Sequence, residues 1–282
     1  MRSFWLSVCI VFASAWSLFG QINGTNPLVR FNTDLGVIDV VLLQDVAPLN
    51  VANFLTYVNS GAYDTSFFHR SITNFIIQGG GYILKNGSIT AIPAKAPVMN
   101  EFHVSNTRGT LAMAKVAGDP NSATNQWFFN ESDANAGPPA SLDTQNGGFT
   151  VFGKIINSTG LTTMDAIGAV KTFDLDGSSS SLFDNVPAVD YTAGTTIHNT
   201  NLINVIWIKV VPQIVAVTHP SATTVHIQGR GAANKMYNLQ TSSSPAGSGF
   251  TTLTSVTADA SGNISFNDAN AGATKYYRLA LP

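Results

Sequence analysis

Thiols are all but missing from this 282-residue chain, whose one cysteine, Cys9, lies in an apolar leader. Cys9 follows Val8 rather than the small residue a lipid-attachment site wants, and it reads as apolar filler. A chain cut after the leader holds no thiol, which excludes disulfides and cysteine-ligated metals and leaves stability to packing. Charge is sparse too. Lys and Arg total 14 against 16 Asp and Glu, and charged residues make up 11% of the sequence, well under the roughly 25% of an average soluble protein. That near-balance excludes a basic nucleic-acid footprint and an acidic solvating tail. His103, His198, His219 and His226 have no carboxylates at ligand spacing, so no metal is expected. Gly79-Gly80-Gly81 is not followed by Lys-Ser or Lys-Thr, Gly229-Arg230-Gly231 lacks a third glycine and a helix, and no nucleophile elbow occurs. Phosphate loops, dinucleotide loops and serine-hydrolase chemistry are thereby excluded.

Ser, Thr, Asn and Gly supply the polar surface, while 17 Phe and an apolar fraction of 44% exclude wholesale disorder. Arg2 precedes an uncharged stretch to Gly20, with Ala13-Ser14-Ala15 as a small-residue cleavage pattern. Residues 1–20 read as a secretory signal peptide, the cut falling between Ala15 and Gly20; the alternative is an uncleaved membrane anchor. No other apolar run is comparable. The expectation is a secreted, periplasmic or extracellular protein with no membrane contact after cleavage.

Leu28 to Asn32 alternates, Thr33-Asp34-Leu35-Gly36 turns, and Val37 to Leu43 resumes as a β-branched strand. Pro48 sits where a helix begins, Val51, Phe54, Leu55 and Val58 share one face, and Gly61 lies just past the end. A weaker helix runs through Leu161, Met164 and Ile167. Two helices among many short strands imply a closed or nearly closed β architecture. Residues 173–200, with Gly177 and four serines, read as a long surface loop before a strand at Leu202 to Val211. Beyond Pro212, six alternating runs end at Tyr276 to Leu279 and predict a small β-sandwich. The domains expected are 21–212 and 213–282.

The chemistry-bearing stretch is Phe67 to Gly81, which sets Arg70, Phe75 and Gln78 among aromatic and β-branched residues. An apolar groove with a few fixed donors is what this pattern makes. Two further segments are Gly109 to Ala114, leading to Asn125-Gln126-Trp127-Phe128-Phe129, and Gly148 to Lys154. Strand alternation turns Trp127 away from Phe128, and His69 away from Arg70, so both are expected in the core.

Phe68-His69-Arg70, Gln78-Gly79-Gly80, Asn125-Gln126-Trp127-Phe128 and Val151-Phe152-Gly153-Lys154, in this order, resemble the cyclophilin family of peptidyl-prolyl cis/trans isomerases, over about Leu28 to Val170. The resemblance implies a mainly β fold, an eight-stranded antiparallel barrel capped by two helices. It implies no cofactor and a proline-containing polypeptide as substrate. By position, the catalytic arginine falls on Arg70 and the orienting glutamine on Gln78. The proline pocket falls on Phe75, Ile76, Phe128 and Leu142. Ala114 and Lys115 match the backbone edge that pairs with the peptide, Gln126 a groove residue, and Phe149 a position often held by histidine or tyrosine. Ser141 stands where tryptophan is frequent, and Thr73 and Gly81 where proline and aspartate are common. The activity implied is isomerisation of X–Pro bonds in exported polypeptides, assisting folding. Two other readings stand beside it: a proline-peptide-binding chaperone module with little turnover, and a surface-attachment protein acting through its C-terminal domain.

Overall fold

The computed structural model describes residues 26–177, 182–221, 223–245, 249–269 and 275–282. Residues 1–20, expected to be a signal peptide, and the four serines Ser178 to Ser181 lie outside these residues. The fold divides into two compact units, Thr25–Val210 and Val211–Pro282. No helix of the described residues is long and apolar enough to cross a membrane.

The first unit begins with the hairpin β1 (Leu28–Thr33) and β2 (Gly36–Leu42), in which Val29 faces Val40 and Phe31 faces Ile38. Helix α1 (Pro48–Ser60) starts on its proline and stops at Gly61, whose φ of +70° is the left-handed conformation a C-cap requires. It buries Val51, Phe54, Tyr57 and Val58; Leu55 is only half-buried. Short strands follow: β3 (Ser66–Phe67), β4 (Arg70–Ile72), β5 (Ile76–Gly79) and the hairpin β6 (Tyr82–Lys85) with β7 (Ser88–Ala91). Then come β8 (Thr110–Met113), β9 (Trp127–Asn130), β10 (Val151–Ile155) and α2 (Ser158–Gly168), which the Asn157 side chain caps by accepting from Gly160 N at 2.7 Å. Strands β11 (Thr172–Phe173), β12 (Val186–Pro187) and β13 (Asn204–Val211) complete the series.

The main sheet runs β4-β5-β9-β8-β10-β2-β1-β13-β3-β6-β7. Only Phe68 and His69 separate β3 from β4, and their N–H groups continue the ladder to Ile203 O and Gln78 O. Residues 66–72 are thus one bent strand present on both sides of the order, and the sheet closes. The ring is 66–72, β5, β9, β8, β10, β2, β1 and β13, an eight-stranded antiparallel barrel with two helices, as the resemblance implied. Its interior is aromatic: Trp127 meets Phe31, Tyr63, Phe68 and Phe129 edge-on with centroids 5.1–6.2 Å apart. Trp127 and His69 are fully buried.

The described residues of 173–200 are mostly irregular and solvent-facing, as expected of a long surface loop, but the segment is pinned to the barrel at several points. β11 pairs with β12, Ala188 bridges Leu202, and Ser71 N donates to Asn185 O at 2.8 Å. Leu175, Phe183 and Ile197 pack on Phe67, Leu84, Val186 and Leu202. A cover that wets one side and winds irregularly needs apolar residues but no fixed period.

The second unit holds two three-stranded antiparallel sheets. One is β14 (Gln213–Thr218), β15 (Val225–Arg230) and β18 (Asn263–Asp268), and the other is β17 (Thr251–Thr257), β16 (Met236–Ser242) and β19 (Tyr276–Ala280). Val225, Ile227 and Ile264 from the first sheet pack with Tyr237, Leu239 and Val256 from the second, which makes the pair a sandwich.

Candidate active site

Residues directly opposite in antiparallel strands share a face. Arg70 lies opposite Gln78, Gln78 opposite Phe128, Phe128 opposite Ala112, and Ala112 opposite Val151. This single row crosses β4, β5, β9, β8 and β10 on the face away from Trp127 and Phe129. Ile76, two residues before Gln78, joins it. Ile76, Ala112, Phe128, Leu142 and Val151 form one apolar cluster, with Phe75, Ala114 and Phe149 packed at its edge. Phe128 and Phe149 meet edge-to-face at 5.7 Å.

Arg70 is half-buried at the rim of this cluster, its guanidinium carbon 5.9 Å from the centroid of the Phe75 ring. No described residue gives it an ion pair or a hydrogen bond. Burial pulls its pKa below the usual arginine value, yet an arginine remains charged throughout the biological range. A planar cation, part-desolvated and unpaired beside an apolar cluster, has donors free for a ligand.

Gln78 is held from behind. Its Nε2 donates to Gln126 Oε1 at 2.9 Å, and His69 Nε2 lies 3.2 Å from the same oxygen. Burial holds the His69 pKa down to about 4, so the ring is neutral and donates through Nε2; its Nδ1 is buried without a partner. A Cβ at Gly81 would come within 3.0 Å of the Gln126 amide, so glycine here gives that amide room. Gly80, at φ +79°, is confined more tightly, with its missing Cβ 2.5 Å from Trp127 Nε1.

Ala114 N donates to Gln126 O, after which the backbone N–H and C=O of Lys115 have no partner among the described residues. An open edge of this kind can pair with an extended peptide. The Lys115 side chain turns instead to the turn Gln145–Gly147, donating to Asn146 O at 2.8 Å and Gly148 O at 2.6 Å. Burial lowers its pKa to about 8. Beside it lies a hollow of about 250 Å³ lined by Lys115, Ala117, Gly118, Gln145, Asn146 and Phe149.

Every residue singled out from the sequence thus falls on this face or directly behind it. What sequence reasoning missed is the support for Leu142 and Phe149, which regular structure does not hold. Asn106 Nδ2 donates to Phe149 O and Asp143 Oδ1, Asn130 Nδ2 to Asn106 Oδ1, and Asn135 Nδ2 to Asn130 Oδ1 and Phe75 O, at 2.7–3.2 Å. All three asparagines are buried. In the sequence they look like turn residues, and only the fold brings them together. The described residues also bring the Asp174, Asp176 and Asp184 carboxylates within 4.8 Å of one another. Asp174 Oδ1 already accepts from Asp176 N and Gly177 N, and none of the three lines the groove.

A family model described as cyclophilin type peptidyl-prolyl cis-trans isomerase/CLD matches residues 28–189. A peptidyl-prolyl cis-trans isomerase of Acinetobacter baylyi is 39% identical over 164 residues, covering 57% of this chain and 80% of that protein. One from Streptomyces antibioticus is 42% identical over 147 residues, covering 51% and 84%. Peptidyl-prolyl cis-trans isomerase B of Escherichia coli is 36% identical over 165 residues, covering 58% and 94%.

Proposed function

Given that the chain belongs to the cyclophilin-type peptidyl-prolyl cis-trans isomerases, we propose that it turns X–Pro bonds of exported polypeptides during their folding, with Arg70 and Gln78 as the catalytic pair. Resonance sets a barrier of about 18–20 kcal/mol to rotation about the amide, and the unaided step takes tens of seconds or longer. No bond to the substrate need break, so no nucleophile is required. A catalyst must bind the twisted amide more tightly than either planar form, and each 1.36 kcal/mol of that preference is about tenfold in rate.

Twisting removes the nitrogen lone pair from resonance and makes the prolyl nitrogen basic. A guanidinium N–H aimed at that nitrogen strengthens as the twist develops, and a dry apolar surrounding amplifies it. Phe75, Ile76, Phe128, Leu142 and Phe149 grip the pyrrolidine ring, the open backbone at Lys115 holds the residue before it, and the carbonyl between them swings. Gln126 and His69 set the angle of Gln78, which faces Arg70 across the strand pair.

The observation that carries this reading is the unpaired, half-buried Arg70 beside the Ile76–Phe128–Leu142 apolar cluster. Proline-limited refolding of an exported protein tests it. The wild-type chain should accelerate the slow phase and the Arg70→Ala and Gln78→Ala chains should not; equal acceleration by all three overturns the reading. Export rests on the leader 1–20 and on the thiol-free chain after it. N-terminal sequencing of the secreted protein should find a start between residues 16 and 21, and full-length chain retained in the membrane would contradict it.

A further inference from the structure

Residue 115 enters the groove through its backbone, and its side chain has a separate task. The turn it reaches is closed by backbone bonds from Gln145 N to Ser141 O and from Gly148 N to Gln145 O, and it carries three successive positive φ values, Asn146 at 52°, Gly147 at 76° and Gly148 at 77°. Such a run aims carbonyls to one side, where they repel one another unless a cation sits between them. Lys115 Nζ is that cation, within hydrogen-bond distance of Asn146 O and Gly148 O. It also lies 4.8 Å from the centroid of Phe149, the residue that leaves the turn and packs on Phe128. The peptide edge at 114–115 and the opposing wall of the pocket are therefore tied through one ammonium. Asn146 Nδ2 to Val116 O and Asn100 Nδ2 to Gly147 O are neutral bonds to the same turn, and neither touches Phe149.

We infer that Lys115 is a positioning residue for the isomerisation: its ammonium gathers the carbonyls of the 145–148 turn and so sets Phe149 against Phe128 as the wall of the ring pocket. This rests on reading that cluster as the substrate groove. With a methylene stem in place of the ammonium, Asn146 O and Gly148 O lose a shared donor, and Phe149, still bonded through its backbone to Leu142 and Asn106, loses its tie to the peptide edge. Because the wall contacts the ring in planar and twisted forms alike, the loss should appear mainly in KM rather than kcat.

The test is a double-mutant cycle in the full chain with a short Ala-Pro peptide, using Lys115→Met, Phe149→Ala, both together, and Lys115→Arg. Lys115→Met should lower kcat/KM about tenfold, mostly through KM, and Lys115→Arg should recover most of it, because a guanidinium fork also spans two carbonyls. In the Phe149→Ala background the Lys115→Met change should cost less than about twofold, since the wall it serves is gone. A merely structural role would give losses that multiply, or none, and either result overturns the inference. If the Met chain does not fold, Lys115→Gln, which keeps a donor without the charge, takes its place in the same cycle. Failure of the wild type to turn over the peptide would reject the groove itself, whereas normal turnover with multiplying losses rejects only the part assigned to Lys115.

Discussion

His69 ties the acid stability of the barrel to the arrangement of its site. The ring is fully buried, and burial lowers its pKa from 6.5 to about 4. The Gln126 hydrogen bond works against that shift, and the neighbouring charge of Arg70 adds to it. Between pH 4 and 6.5 the unfolded chain binds the proton and the folded chain does not, so stability rises with pH across that window. The contribution is fully present above 6.5 and is lost as the pH falls to about 4, the accumulated loss being about 3 kcal/mol. Urea unfolding of the wild type and of His69→Gln at pH 7 and pH 4 measures it. Trp127 and Trp207 both belong to the barrel unit, so tryptophan fluorescence of a chain lacking residues 1–20 follows that unit alone. The wild type should lose about 3 kcal/mol more than the variant on acidification. Equal losses would mean that the histidine is accessible to protons in the folded state, and the Nε2–H donation to Gln126 would no longer follow.

Three other consequences are open to measurement. Phe128→Ala removes a side chain that is 2% exposed and should cost about 3 kcal/mol in thermal or urea unfolding; turnover should fall at least about tenfold, and wild-type turnover would remove Phe128 from the ring pocket. Gly80→Ala places a Cβ 2.5 Å from Trp127 Nε1 and 2.7 Å from Asn125 O at a φ of +79°. It should destabilise the barrel by about 2 kcal/mol or more, and a change under about 0.5 kcal/mol would show that the bend at 79–81 is not fixed by that contact. Asn106→Leu leaves the Phe149 carbonyl unpaired and takes one acceptor from the Asn130 amide, which keeps Thr110 Oγ1; kcat/KM should fall with KM rising, and unchanged kinetics would separate the asparagine network from the groove.

Much of this fold is written in periodicity. The hairpin at 28–42, the helix face of Val51, Phe54 and Val58, and the six strands after Pro212 are local patterns, and local patterns survive the loss of tertiary information. Arg70 and Gln78 were legible through the resemblance of Phe68-His69-Arg70 and Gln78-Gly79-Gly80, and the β4–β5 register sets the two opposite one another. Closure of the barrel was expected, but which strands close it was not legible, because that depends on β13 pairing with Ser66 and Phe67 across well over a hundred residues of chain. The supports of Leu142 and Phe149 were equally hidden. Asn106, Asn130 and Asn135 sit in unrelated segments, and an asparagine in a sequence points to a turn before it points to a buried network. Lys115 shows the same limit in one residue: its place on the groove edge follows from the strand before it, while the direction of its side chain follows from a turn thirty residues on.

The proposed isomerisation requires Arg70 to discriminate between a twisted and a planar imide. Exchange NMR of an Ala-Pro peptide with wild-type and Arg70→Ala chains measures interconversion and affinity in one sample. The variant should bind the peptide within about tenfold of the wild type while its catalysed exchange falls about 10²–10³-fold. Exchange at the wild-type rate on the variant would contradict the account, because the rate enhancement would then arise from the apolar walls without the guanidinium.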